Sequence, residues 1–234
     1  TISYNRSHSS FSEIQPSMVN WEKSLEDGKW FHWTGITPAL CKGGYETLKE
    51  GLIFAKKKGM IISADPTYRK GLWKYGQNPK EALVDLLNYS TIFIGGIDEI
   101  NEVLDTKFGY SNEDFIEASQ QLMLKFPSIE KVFEKIRTAV NSSWNKIRAR
   151  MWNGKEFRET KDLDITHIID RIGTGDAFAA GLIYGLQHYD DVKSMEFASA
   201  ASALKHTYEG DVNFSSVNEV LGILEGNITG RLNR

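Results

Sequence analysis

Three times in the first half of the chain, a short and almost unbroken apolar run gives way to an amphipathic stretch of helical period. Residues 30–36 read as a strand ending at Thr34-Gly35. Residues 60–64 read as a second, ending at Asp65-Pro66, and residues 91–94 as a third, stopped by Gly95-Gly96. After the first, Gly43-Gly44 opens a helix with Leu48, Leu52 and Ala55 on one face, closed by Lys56, Lys57, Lys58 and Gly59. The lysines complement the negative end of that helix. A helix over 79–87 carries Pro79 at its start and Leu83, Leu86 and Leu87 on one side. Helices over 99–104 and 112–125 follow. Strands apolar on both faces, alternating with helices, specify a parallel sheet covered by helices. Such sheets bind ligands beyond the carboxyl ends of their strands. Asp65, Gly95 and Gly96 fall there.

The middle of the chain changes character. Residues 131–140 and 146–152 alternate or carry β-favouring residues, and Asn153-Gly154 is the strongest hairpin turn in the sequence. Antiparallel edge strands are expected there, with Trp144 and Trp152 among them. Helices are expected over 176–188, 192–208 and 216–224. Gly181 and Gly185, four residues apart, suit close packing of their helix against the sheet. No linker or repeat divides the chain, so 1–234 reads as one domain.

Composition excludes several functions. The 28 Lys and Arg against 31 Asp and Glu give a net charge of −3, without the basic surplus of a dedicated nucleic-acid binder. Cys41 is the only cysteine, so neither an internal disulfide nor a multi-cysteine zinc site can form. His206 has no second His, Cys or carboxylate at ligand spacing. No apolar run approaches the roughly 18 residues of a membrane span. The first residues lack the apolar core of a secretion signal. A cytoplasmic protein is expected, without nucleic-acid or membrane partners.

The densest chemical signal is Asp170-Arg171-Ile172-Gly173-Thr174-Gly175-Asp176-Ala177-Phe178. Glycines before an apolar helix let backbone N–H groups approach an anion, and the helix N-terminus adds partial positive charge. Asp176 in the first turn has two readings. It is a capping carboxylate, or a base beside an anion hole, the pairing that phosphoryl transfer to a hydroxyl needs. The Walker A spacing and the Gly-x-Gly-x-x-Gly loop are both missing.

Gly173-Thr174-Gly175-Asp176, with Asp170 and Phe178, resembles the C-terminal signature of the ribokinase-like (phosphofructokinase-B type) carbohydrate kinases. Tyr4-Asn5-Arg6, the stretch from Phe31 to Leu40, Asp65-Pro66-Thr67-Tyr68-Arg69, Leu204-Lys205-His206-Thr207 and Gly210-Asp211-Val212-Asn213 are similar to the 2-keto-3-deoxygluconate kinases among them. The resemblance implies a three-layer α/β/α fold with a mostly parallel sheet. It also implies ATP-dependent phosphorylation of a six-carbon sugar acid at its terminal hydroxyl.

It assigns roles as well. Asp176 would be the base, and Gly173, Thr174 and Gly175 the anion hole for the γ-phosphate. Tyr4, Arg6, Ile36 and Arg69 would hold the sugar acid, with Arg69 on the carboxylate, since a guanidinium fork pairs with carboxylates. Lys205, His206, Gly210 and Asn213 match the stretch that walls the adenine. Glu99 would hold Mg²⁺ through water, and Asp170 a monovalent cation such as K⁺. Relatives commonly self-associate, so a homo-oligomer is implied.

Two departures stand out. The family's Asn-x-x-Glu reads Gly96-Ile97-Asp98-Glu99 here. The family's first sheet strand, most of its lid and its Gly-Gly sugar segment have no counterpart, so the lid is expected to be largely missing. The alternatives are another sugar kinase, such as a fructokinase, or a catalytically weak nucleotide- or sugar-binding protein. Charge at the substrate end separates the first, and ADP release the second.

Overall fold

A computed structural model describes residue 6, residues 8–141 and residues 143–226. Tyr4 lies outside the described residues. The chain forms two compact units, residues 1–133 with 152–156, and residues 134–151 with 157–234.

Among the described residues of the first unit, two 3-10 turns, Ser10–Glu13 and Pro16–Met18, come first, then a short helix α1 (Trp21–Ser24). Strand β1 (Trp30–Thr34) leads into α2 (Ile36–Leu40) and α3 (Lys42–Lys57). Then come β2 (Ile61–Asp65), α4 (Pro79–Leu87), β3 (Ile92–Ile94), α5 (Ile97–Leu104), α6 (Asn112–Lys125) and the start of β4 (Lys131–Ala139). The order β1-β2-β3-β4 is parallel at every step, with Thr34 opposite Asp65, Ala64 opposite Phe93 and Ile94 opposite Phe133.

Local chemistry sets the helix limits. Asn78 accepts from the N–H groups of Lys80 and Glu81 at 3.0 and 3.4 Å, with Pro79 behind it. Ser111 and Asp114 form a capping box for α6. Gly59, at φ 69°, turns the chain from α3 into β2. Ile62, Ala64, Phe93, Ile94, Val132 and Phe133 are all buried, which is why these strands read as unbroken apolar runs.

Two expectations are corrected here. The first strand stops at Thr34, and Ile36 opens α2. The start of β4 is an interior parallel strand and not an antiparallel edge: it pairs in parallel with β3, has β5 as its next neighbour in the strand order, and Val132 and Phe133, on opposite faces, are both buried.

In the second unit β4 continues beside β5 (Asn145–Trp152), which pairs with β6 (Phe157–Glu159) and, antiparallel, with β7 (Leu163–Ile165). Gly154, at φ 84°, lies in the turn after β5, where the Asn153 side chain accepts from the N–H groups of Lys155 and Glu156. Helices α7 (Thr174–His188), α8 (Asp191–Lys205) and α9 (Val217–Leu224) follow among its described residues. Phe197, Ala200, Ala201 and Val220 form their core with Leu163, Tyr184 and Leu221 around them. A Cβ on Gly181 would stand 3.0 Å from Ala198, and one on Gly185 2.7 Å from Ser194. These glycines therefore admit α8. The expected packing partner, the sheet, is replaced by a helix.

Candidate functional site

In the first unit Ile36, Arg69 and Glu99 follow the carboxyl ends of the parallel strands, where sheets of this kind bind ligands. Ile36 is the first residue of α2, after β1. The Gly35 N–H donates to the Asp65 carbonyl at 2.7 Å, tying the end of β1 to that of β2. The Asp65 carboxylate folds the following turn by accepting from the N–H and the hydroxyl of Thr67. Arg69 is half-buried just beyond, and its carbonyl accepts from Leu72 N–H at 2.8 Å. Glu99, in the first turn of α5, accepts the Gly96 N–H at 2.8 Å. Gly96 thus serves as the cap that Glu99 closes. Burial pushes the Glu99 carboxyl up, the Gly96 bond opposes this, and the charges of Asp65 and Asp98 add to the rise. Arg6 is exposed, its carbonyl accepting from the Ser9 hydroxyl at 3.0 Å.

The second unit holds the N-terminus of α7. Gly173 is its cap, at φ 76°, a conformation that favours glycine. The sequence suggests that Gly173-Thr174-Gly175 precedes the helix. Instead, Thr174 and Gly175 are its first two residues. The Thr174 hydroxyl bonds back to the Arg171 carbonyl at 3.0 Å, and this local bond starts the helix early. The Ala177 N–H reaches the Gly173 carbonyl at 2.8 Å. The N–H groups of Thr174, Gly175 and Asp176 come before that bond, so the helix supplies them no acceptor. Gly175 and Asp176 are exposed, and a Cβ on Gly175 would meet nothing within 4 Å.

The flanking loops are bound to this turn. Asp170 accepts from Ile172 N–H at 2.9 Å and from Gly210 N–H at 3.1 Å. The Ile172 bond leads in holding its carboxyl below the usual carboxylate range. Gly210 is at φ 89° with open space where a Cβ would be. The Asn213 side chain accepts from the Tyr208 hydroxyl and, at 3.1 Å, from Ser215 N–H.

Lys205 and His206 have fully buried side chains. The Lys205 ammonium donates to the Tyr208 carbonyl at 3.2 Å and lies 4.9 Å from the Tyr208 ring centre. His206 Nδ1 is 2.7 Å from the Ser202 carbonyl, and its own carbonyl accepts from Ile169 N–H at 2.8 Å. These two side chains build the loop from beneath. Val212 and Phe214 are its exposed apolar surface, which the sequence reading did not single out. Among the described residues, no three His, Cys, Asp or Glu side chains cluster closely enough to hold a metal ion by themselves. None of the helices described is long and apolar enough to cross a membrane.

This arrangement can hold an anion on backbone N–H groups with a carboxylate at the same helix end. Known proteins resemble the chain as a whole. A Haloferax volcanii protein named 2-dehydro-3-deoxygalactonokinase is 26% identical over 230 residues, covering 98% of this chain and 67% of the relative. The crystal structure of 2-dehydro-3-deoxygluconokinase from Thermotoga maritima is similar with a TM-score of 0.87 at 32% identity, over 97% of this chain and 69% of that one. A PfkB family carbohydrate kinase from Listeria grayi also gives a TM-score of 0.87, at 27% identity, over 96% of this chain and 69% of that one. These likenesses establish the three-layer, mostly parallel α/β fold class. The pfkB family carbohydrate kinase pattern matches residues 1–218, and the chain belongs to that family.

Proposed function

We propose that the chain transfers the γ-phosphoryl group of ATP to the terminal hydroxyl of 2-keto-3-deoxygluconate. The observation that carries the reading is Asp176, exposed in the first turn of α7 beside Gly175, whose Cβ position is open. Asp176 orients the sugar hydroxyl and takes its proton as the oxygen attacks phosphorus. The N–H groups at residues 173–175 face the charge that gathers on the transferred group. Arg69 pairs with the sugar-acid carboxylate, Arg6 helps to grip the sugar acid, and the backbone around Ile36 lines the same pocket. Gly210 and Asn213 border the adenine, Lys205 and His206 supporting that loop from below.

Mg²⁺ fits this residue set. Asp65 and Glu99 offer hard carboxylate oxygens, and Mg²⁺ is ordinarily held by one or two carboxylates, waters and substrate phosphates. Glu99 would hold it through water, and the ion supplies charge neutralisation for the triphosphate. Asp170, kept ionised by its N–H donors, suits a monovalent cation such as K⁺. Cytoplasmic location and self-association remain part of this reading.

The sugar acid rests on the 32% identity with the Thermotoga maritima 2-dehydro-3-deoxygluconokinase. The Haloferax volcanii relative favours a second reading, the galactonate epimer. The test is ADP release from Mg²⁺-ATP with each epimer, fructose and gluconate, with Asp176→Asn as control. Turnover confined to the keto-deoxy acids and lost in the variant supports the reading. Preference for fructose, or binding without ADP release, replaces it with one of the alternatives.

A further inference from the structure

We propose that Lys135 and Ser202 are positioning residues for the Gly175 amide, fixing the direction and raising the donor strength of the N–H that faces the transferred phosphoryl group. The inference rests on the role proposed above for residues 173–175 and adds two residues to it.

The relevant unit is the peptide bond between Thr174 and Gly175. Its oxygen belongs to Thr174 and its N–H to Gly175. The oxygen accepts from the Ser202 hydroxyl at 2.8 Å and from the Lys135 ammonium at 3.1 Å. Lys135 Nζ is also 3.5 Å from Ser202 Oγ, so oxygen, hydroxyl and ammonium form one group. Lys135 comes from β4, Ser202 from α8 and the amide from α7. Ser202 is fully buried, whereas Gly175 is exposed.

A trans peptide is planar, and its C=O and N–H point in opposite directions. Fixing the oxygen from the buried side therefore fixes the N–H toward the exposed side. A hydrogen bond to the oxygen also draws electron density from the nitrogen, and a cationic donor does so more strongly than a neutral one. Lys135 thus adds its charge to the helix end through the amide, without reaching the ligand. A lysine placed only to attract triphosphate would direct its ammonium to the surface rather than to a main-chain oxygen.

The test uses the full chain with Lys135→Met, Lys135→Arg and Ser202→Ala. The readouts are kcat and KM for ATP, together with the ¹⁵N–¹H resonance of Gly175. Losing one anion-hole donor outright costs about 10²- to 10³-fold in kcat, so weakening one predicts a loss of about 10-fold in Lys135→Met. The KM for ATP should stay within about 3-fold, because the effect grows with transition-state charge. Lys135→Arg should recover part of kcat, and Ser202→Ala should lose less than Lys135→Met. The Gly175 resonance should move in Lys135→Met and return toward its original place in Lys135→Arg.

Unchanged kcat in a folded Lys135→Met overturns the proposal. So does a large rise in KM for ATP at unchanged kcat, which would make Lys135 a direct nucleotide contact. If the unaltered chain turns over no sugar, the kinase reading fails on its own. The Gly175 resonance then decides this one, and its failure to respond to Lys135→Met overturns it. Should Lys135→Met not fold, Lys135→Arg and Ser202→Ala carry the same comparison.

Discussion

Gly173 is pressed against the main chain of Asp211: a Cβ on Gly173 would stand 2.0 Å from the Asp211 carbonyl oxygen. Gly173 is also at φ 76°, whereas two residues on Gly175 faces open space. The two glycines therefore make different predictions. Gly173→Ala adds left-handed strain to a clash with backbone, and should cost about 3 kcal/mol or more of stability. Gly175→Ala should keep or slightly raise the melting temperature, since alanine suits a helix better, yet lower kcat about 10-fold by placing a methyl at the anion hole. Thermal unfolding and steady-state kinetics on both variants check this. Equal melting temperatures, or a Gly175→Ala enzyme of full activity, would contradict it.

Asp176→Asn keeps the shape of the side chain and removes its basicity. We expect kcat to fall by about 10² or more, the scale of a lost general base. ATP affinity should be largely retained, because the main-chain N–H groups at this helix end are untouched. Single-turnover kinetics, with nucleotide binding measured separately, resolves the two effects. Turnover near that of the unaltered chain would leave Asp176 as a capping residue only.

The strand–helix alternation was legible because both faces of β2 and β3 are buried, which writes unbroken apolar runs into the sequence. Helices α4 and α6 have the expected bounds because Asn78 and Ser111 are local caps needing no tertiary partner. The start of α7 was not legible. Two glycines around a threonine read as loop, and only the Thr174–Arg171 bond and the left-handed Gly173 make it helix. Helical period shows that Gly181 and Gly185 share a face, but not that α8 covers it. Asp176, whose catalytic role is a proposal, was singled out from its place in the first turn of an apolar helix, behind two glycines. The Lys135 contact was not legible, because strand alternation does not reveal that its ammonium ends on Thr174 of α7.

Arg69→Ala tests the sugar-acid reading from the substrate end. Hydrogen bonds to a charged group are worth about 1.5–3 kcal/mol, so KM for the keto-deoxy acid should rise roughly 10- to 100-fold. The KM for fructose, which has no carboxylate, should change little. A parallel rise for both sugars would mean that Arg69 supports the loop after β2 and does not read the substrate's charge.

His206 makes the pH dependence of stability predictable in sign. Burial is the main cause holding its imidazole below the ordinary value of 6.5. The bond to the Ser202 carbonyl opposes this, and the charges of Lys135, Arg137 and Arg171 reinforce it. The folded protein thus binds the His206 proton less readily than the unfolded chain does. The corresponding stability is fully present above pH 6.5 and is lost as pH falls toward the lower folded value. Unfolding by urea between pH 7.5 and pH 5 should show the unaltered chain losing stability on acidification, and His206→Asn losing less over the same interval. The Asn variant starts lower, because it fills the buried site less well. The prediction therefore concerns the slope with pH. Equal slopes in the two proteins would mean that His206 titrates alike folded and unfolded, and that the acid sensitivity of this unit lies elsewhere.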